Sequence, residues 1–403
     1  VQNEESNFKN TLNFGMQRMD EILHDAREKK LTHIPGDEIF KLYDTFGFPV
    51  DLAEEYGKEV GLSLDIDGFN KAMKEQKEKA MASWKGSGEK LVSPFFNNFI
   101  KTDKPTRFLG YENTLAEGQI LAILKESKPI DSASEGETIE LLLNQTPFYG
   151  ESGGQIGDSG TAWNEAAHLY IDNSTKPIPE LIIHQAKITK GKIKTLDSLS
   201  LKVDSESRSE IALHHSATHL LHATLKEILG EHIKQAGSLV TSERLRFDFT
   251  HFSPLSPSEK DKIEQVVNEK IRENLSVSTC KLPIEQAVNE GAVALFGEKY
   301  GDEVRVVSMG GFSKELCGGT HTPATGNIGL FKIMSEGGIS SGVRRIEAVA
   351  GKSAYFEMQK ENEILTSIRS LLKVSPEEEI IRLKKVLEKS KEMEKEISAL
   401  KER

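Results

Sequence analysis

Two cysteines, Cys280 and Cys317, stand in a chain of 403 residues. That scarcity excludes a disulfide scaffold and a four-cysteine zinc ribbon, and it fits a reducing, cytoplasmic setting. No apolar run reaches the roughly 18 residues of a membrane span, and no signal-peptide pattern opens the chain. Positive charge is also short: 52 Lys and Arg face 63 Asp and Glu, a net charge of −11. Nucleic-acid binding draws on Lys and Arg to neutralise phosphates. The balance therefore opposes a broad nucleic-acid surface and restricts such binding to local basic patches. Internal repeats and low-complexity segments are absent. The glycine-rich stretch from Thr146 to Asp158 has neither Gly-Lys-Ser/Thr nor Gly-x-Gly-x-x-Gly, so a nucleotide-phosphate cradle is unsupported. Its glycines permit either a demanding β-turn or close approach by another surface.

What is present reads as an α+β chain of two to three domains' length. Residues 1–83 are predicted helical, with Phe8, Leu12, Met16 and Met19 at helical spacing. Asp37 and Glu38 open a second helix, Gly47-Phe48-Pro49 ends it, and Asp51 is expected to cap a third. Asp65-Ile66-Asp67-Gly68 superficially matches a calcium loop. With Gly68 as its sixth residue, however, Lys74 takes the twelfth place, so a helix cap is expected. Residues 84–104 read as a linker. Residues 105–205 turn to short strands, near 119–124, 138–143 and 181–188, as a glycine-containing barrel-like subdomain. Residues 206–350 are mixed: a helix near 207–229, a capped one near 258–274, and strands near 245–249, 304–308 and 328–334. From 351 to 403 the chain is helical again. Ser375-Pro376 is expected to restart it. A short heptad-like pattern there (Leu383, Ser390, Ile397) leaves open a coiled coil that self-associates. Val1 and Arg403 both fall inside helical patterns, so a piece of a longer protein is expected.

The chemistry concentrates in histidines. His215 and His219 are four apart on a helix and share a face. His222 falls within about 60° of both. Leu213, Ala217, Leu220 and Leu221 point elsewhere, which sets the histidines off the main apolar stripe. A metalloprotease would need Glu after the first histidine, and Ser216 stands there. Farther along, Cys317-Gly318-Gly319-Thr320-His321 puts a thiolate and an imidazole four apart across a tight turn. Together the two motifs supply Cys317, His215, His219 and His321, a donor set that favours one Zn²⁺ per chain.

These motifs, with Tyr149–Gln155, Gln235–Val240, Arg246–Phe249, Ser341–Ala348 and the upstream Phe40–Pro49, closely resemble the alanyl-tRNA synthetases over nearly the whole chain. His214 departs from the family, where Asn is common. His215 is preferred as ligand because it alone lies four residues before His219, with His222 a possible substitute. The resemblance implies a central piece. Residues 1–83 would end the tRNA-recognition helices, 206–350 would form a zinc-containing editing core, and the helices from 351 would begin a linker. The implied reaction is zinc-dependent hydrolysis of Ser-tRNA(Ala) and Gly-tRNA(Ala). The parent enzyme would ligate alanine to tRNA(Ala) with ATP and Mg²⁺ through a domain absent from these residues. Free-standing trans-editing deacylases share the zinc motifs but are not expected to carry Phe40–Pro49. A noncatalytic zinc-stabilised tRNA-binding module is the remaining reading.

Within the implied site, Thr218 is the candidate for serine discrimination, because its hydroxyl can pair with a substrate hydroxyl. The competing reading has it bonded to a carbonyl one turn earlier. Gln235 is the candidate for orienting water or the ester carbonyl. Gly153, Gly154 and Gln155 are candidate substrate contacts. Arg344 and Arg345 serve either tRNA phosphates or ordinary surface pairing. Lys71, Lys74, Lys77 and Lys79 interleave with Glu75 and Glu78 and read as a solvated helix face.

Overall fold

A computed structural model describes residues 2–29, 31–83, 95–96, 99, 105–294 and 301–401. Most of the expected linker, 84–104, lies outside them, as do the side chains of Lys77 and Lys79. The chain divides into two compact units, Val1–Leu91 and Val92–Arg403.

The first unit is helical: α1 (Gln2–Glu28), α2 (Gly36–Phe46), α3 (Val50–Glu59) and α4 (Ile66–Ser83). Met19, Ile22, Leu23, Ile34, Ile39, Leu42 and Phe48 form its core. Gly47 ends α2 in the left-handed region at φ 61°. Its N–H donates to Tyr43 O, and the Phe48 N–H donates to Leu42 O, which satisfies the last carbonyls of the helix. Asp51 is not a cap: α3 begins at Val50 after an extended Pro49, and Asp51 sits in its first turn. Proline at that point already presets the entry, and the acidic residue then complements the positive helix end. Asp65 does cap α4, accepting from the Gly68 N–H at 2.9 Å. Lys71 and Lys74 are exposed.

The second unit opens with six strands: β1 (Leu115–Lys125), β2 (Thr138–Leu143), β3 (Gly160–Trp163), β4 (Ala167–Ile178), β5 (Leu181–Lys194) and β6 (Ser198–Val203). They pair in the ring order β4-β3-β6-β1-β2-β5, and β5 closes back onto β4. Alternation explains the closure. Ile139, Leu141 and Leu143 of β2 face the barrel core with Ile171, Ile188 and Leu201, while Leu142 joins Phe96, Leu124 and Ile183 in a separate cluster.

The mixed region follows. Helix α5 (Ser205–Leu229) starts at Asp204, whose carboxylate accepts from the Glu206 and Ser207 N–H groups. It runs beside a four-stranded sheet ordered β7 (Gln235–Val240), β8 (Leu245–Thr250), β13 (Val343–Ala350), β12 (Phe331–Ser340). Helix α6 (Pro257–Arg272) carries a complete Ser256–Glu259 capping box. A three-stranded sheet comprises β9 (Val277–Pro283), β10 (Glu303–Met309) and β11 (Ser313–Leu316), with the short α7 (Ile284–Asn289) beside it. Leu220, Leu221, Phe247, Phe249, Ile263, Phe331 and Ile346 form the core. The strand expected from 328 is displaced. Residues 325–328 make a 3-10 turn ended by Gly329 at φ 79°, and β12 starts at Phe331.

Helices α8 (Gly351–Leu372) and α9 (Glu379–Lys401) complete the chain. Ser375 and Pro376 do not begin α9: Glu377 has φ 85°, so a turn intervenes and the helix starts at Glu379. The Ser375 hydroxyl donates to the Glu378 carboxylate instead. No residue of α9 is buried. Among the described residues, no helix is long and apolar enough to cross a membrane.

Candidate metal centre

Helix α5 is buried all round from Ile211 to His222. The histidine face is therefore not a solvent face. It packs against the loop after β11, while the leucines fill the core. Several groups hold that loop. Arg305 Nη1 donates to the carbonyls of Cys317 and Gly319 at 2.9 and 3.0 Å. The Tyr111 hydroxyl donates to Gly318 O at 2.6 Å, with the Arg305 guanidinium 4.2 Å from its ring. Gly319 has to be glycine, since a Cβ there would strike the His215 imidazole.

One ligand atom from each of His215, His219, Cys317 and His321 lies within 4.8 Å of all the others. His215 Nε2 and His321 Nε2 are 3.4 and 3.3 Å from Cys317 Sγ. With Zn–S near 2.3 Å and Zn–N near 2.0–2.1 Å, a tetrahedral site separates S from N by about 3.5 Å. His219 Nε2 is buried with no hydrogen-bond partner, as expected of an atom whose partner is a metal. The donor set thus fits zinc.

Each imidazole is oriented from behind through Nδ1. His215 Nδ1 meets Gln155 Oε1 at 2.7 Å, His219 Nδ1 meets Glu315 Oε2 at 2.8 Å, and His321 Nδ1 meets Ser216 Oγ at 3.2 Å. All three acceptors select the tautomer that leaves Nε2 for a ligand. Ser216 is an acceptor here because its own proton goes to Ala212 O. Burial opposes the Cys317 thiolate, but the three imidazoles outweigh it and hold its pKa well below the usual thiol value. Burial likewise opposes a charged His219, yet Glu315 and Cys317 raise it to about 10, whereas burial depresses His321 to about 3. Burial disfavours ionised Glu315, and His219 and His222 more than reverse this.

His215, His219 and Cys317 of the cluster line a cavity of about 300 Å³. Thr218, Gln235, Gly153 and Ser238 line it. The Thr218 hydroxyl donates to His214 O at 2.8 Å, the one-turn-back bond, which leaves its oxygen as an acceptor. Gln155 is not on the cavity wall: it is fully buried, accepts from the Thr320 N–H and donates to Thr320 Oγ1. Gly154, at φ 81°, lets the glycine-rich loop lie against Ser238, and its carbonyl accepts from the Val240 N–H at 2.7 Å. That stretch thus joins the barrel to the β7 strand, while Gly153 stays on the cavity wall. Arg344 pairs with Glu336, and Arg345 with Asp248 at 2.7 and 2.9 Å, within the sheet. His214 turns away, accepting from the Ala350 N–H at 3.1 Å, and burial depresses its pKa to about 4.

Sequence reasoning missed Glu315, Ser216, Arg305 and Arg208. Arg208 bonds both oxygens of Asp158 through Nε and reaches the carbonyls of Gly110 and Pro147. These partners come from distant segments, and no local spacing announces them. The one available signal was Glu315, a carboxylate two residues before the thiolate.

Comparison with known proteins agrees over the length of the chain. The family model for class II tRNA synthetases (A) matches residues 1–207, and that for the threonyl and alanyl tRNA synthetase second additional domain matches 304–347. The chain is 44% identical over 405 residues to an alanine–tRNA ligase of Chelativorans sp. (strain BNC1), covering 98% of this chain and 45% of that protein. It is 42% identical over 410 residues to an alanine–tRNA ligase of Sinorhizobium medicae (strain WSM419), covering 99% and 46%. The chain thus spans about half the length of the curated relatives it matches.

Proposed function

Because the chain belongs to the alanyl-tRNA synthetase family, we propose that it carries the site that hydrolyses mischarged tRNA(Ala). The observation that carries this reading is the convergence of three imidazoles and one thiol beside a cavity that His215, His219 and Cys317 line. The proposed substrates are Ser-tRNA(Ala) and Gly-tRNA(Ala). The whole protein would also ligate alanine to tRNA(Ala), using ATP and Mg²⁺.

The need for such a site is physical. A pocket for alanine cannot exclude glycine by size, and it rejects an added hydroxyl by only about 10²-fold. His215, His219, Cys317 and His321 would hold Zn²⁺, which supplies Lewis acidity toward an ester carbonyl or a water. Thr218 would accept the hydrogen bond of the serine hydroxyl, since its own proton is committed to His214 O. Alanine brings no such donor. Gln235, an uncharged amide, would orient the water or the carbonyl without acting as a base. Gln155, Glu315 and Ser216 would keep the ring orientations through Nδ1.

A four-ligand tetrahedral site is closed. This favours one further reading, a noncatalytic zinc-stabilised tRNA-binding module. Incubation of the zinc-loaded protein with Ser-, Gly- and Ala-tRNA(Ala) separates the two. Release of serine and glycine with alanine retained is expected, and Cys317→Ala is expected to lose both zinc and deacylation. Equal inertness toward all three esters, with zinc bound, would leave the binding module.

A further inference from the structure

The residues that line the cavity sort by exposure. His215, Thr218 and His219 are buried and belong to its floor, whereas Gly153, Lys176 and Glu303 are exposed and mark its mouth. Lysine and arginine enter the lining twice, as Lys176 and Arg305. Arg305 is committed: its Nη1 holds the carbonyls of Cys317 and Gly319, and its guanidinium lies over Tyr111. The Lys176 side chain, on β4, has no ion pair or hydrogen bond among the described residues. Of the two lining carboxylates, Glu315 is taken by His219 and His222. His222 stands outside the grouped ligands, so it is not the substitute ligand that the sequence allowed. Glu303 is exposed at the start of β10, while Lys176 comes from the barrel. The glycine-rich loop packs on this lysine. A Cβ on Gly150 would come within 2.9 Å of the Lys176 Cβ, and the Glu151 N–H donates to Ser174 O at 2.9 Å.

We propose that the Lys176 ammonium pairs with the 5′-phosphate of the terminal nucleotide of an aminoacyl-tRNA, making Lys176 a substrate-binding residue. This rests on the editing reading. An ester that reaches the buried metal ligands puts its aminoacyl group on the floor, and the polynucleotide has to leave through the mouth. The first anion on that path is the 5′-phosphate, one ribose from the ester. An exposed ammonium without a partner is a point charge suited to it. Glu303 repels the same phosphate, which steers the chain to the barrel side. The pairing also meets the net charge of −11, because it asks for one cation placed at the site and not for a broad basic face.

The test uses the zinc-loaded protein with Ser-tRNA(Ala) and with two small esters, 3′-O-seryl-adenosine and its 5′-phosphate. In the wild type, the 5′-phosphate is expected to raise kcat/KM roughly 5- to 10-fold. Lys176→Met is expected to abolish that advantage, leaving the unphosphorylated ester and the zinc content unchanged, and Lys176→Arg to retain it. On Ser-tRNA(Ala), Lys176→Met is expected to raise KM with kcat kept. The slope of log kcat/KM against log salt is expected to become shallower by about one. A phosphate advantage that survives Lys176→Met, an equal loss on both small esters, or an unchanged salt slope would overturn the assignment and leave the editing reading standing. If both small esters prove inert, the salt slope on Ser-tRNA(Ala) decides alone. A wild type inert toward Ser-tRNA(Ala) as well would overturn the editing reading itself, and this assignment with it.

Discussion

Glu315 touches two histidines of α5 with its two oxygens and sets the tautomer of both. Replacing it by Gln keeps the shape but removes the charge and one acceptor. Outer partners of this kind are worth about 10- to 100-fold in metal affinity, so on the proposed reading chelator competition is expected to find zinc bound that much more weakly in Glu315→Gln. Arg208 and Asp158 make a different kind of demand. Both are buried, and Asp158 also accepts from the Tyr149 N–H at 2.6 Å. Removing one charge of such a pair strands the other, at a cost of about 3–5 kcal/mol. Asp158→Asn is therefore expected to lower the unfolding free energy of the second unit, read from urea titration, by that order while leaving His215, His219, Cys317 and His321 in place.

At the scale of elements, the barrel contains its own titrating group. His184 on β5 is fully buried; its Nδ1 meets Ser174 Oγ at 2.9 Å and its Nε2 has no partner. Burial depresses its pKa from 6.5 to about 3. Between these values the unfolded chain binds a proton that the folded chain refuses. Stability from this group is thus complete above pH 6.5 and is lost as pH falls toward 3. Denaturant midpoints of His184→Gln, measured from pH 7 to 4, are expected to fall less steeply than those of the wild type. A slope equal to the wild type would mean that His184 is not the group responsible. The strands around it were readable because β-branched and aliphatic residues alternate, and β2 keeps the predicted bounds Thr138–Leu143. The boundaries that moved have local causes. Pro49 took the capping place expected of Asp51, and positive φ at Glu377 delayed α9.

For the whole molecule, charge is the governing quantity. A net charge of −11 opposes a polyanion, and Arg344 and Arg345 each already pair with a carboxylate in the sheet. On the proposed reading, tRNA affinity of this chain is expected to be weak and to fall steeply between 50 and 200 mM salt, on the order of 10³-fold if six phosphates are neutralised. Filter binding or fluorescence anisotropy across that range checks it, and tight, salt-insensitive binding would contradict it.

The sequence by itself determined the chemistry on offer. Cys317 and three histidines at four-residue spacing offer a candidate donor set, because helix periodicity and a glycine turn act over a few residues. It also announced the strands and most helices, since burial on one face leaves a period in the chain. Only the tertiary structure decided which atoms are free. Whether Gln155 faces a ligand or backs His215, whether Arg345 is unpaired or bound to Asp248, and whether His222 is a ligand or a partner of Glu315 all depend on residues 60 to more than 90 positions away. No local pattern encodes such partners. They are selected by which surfaces the barrel, α5 and the β11 loop bring together.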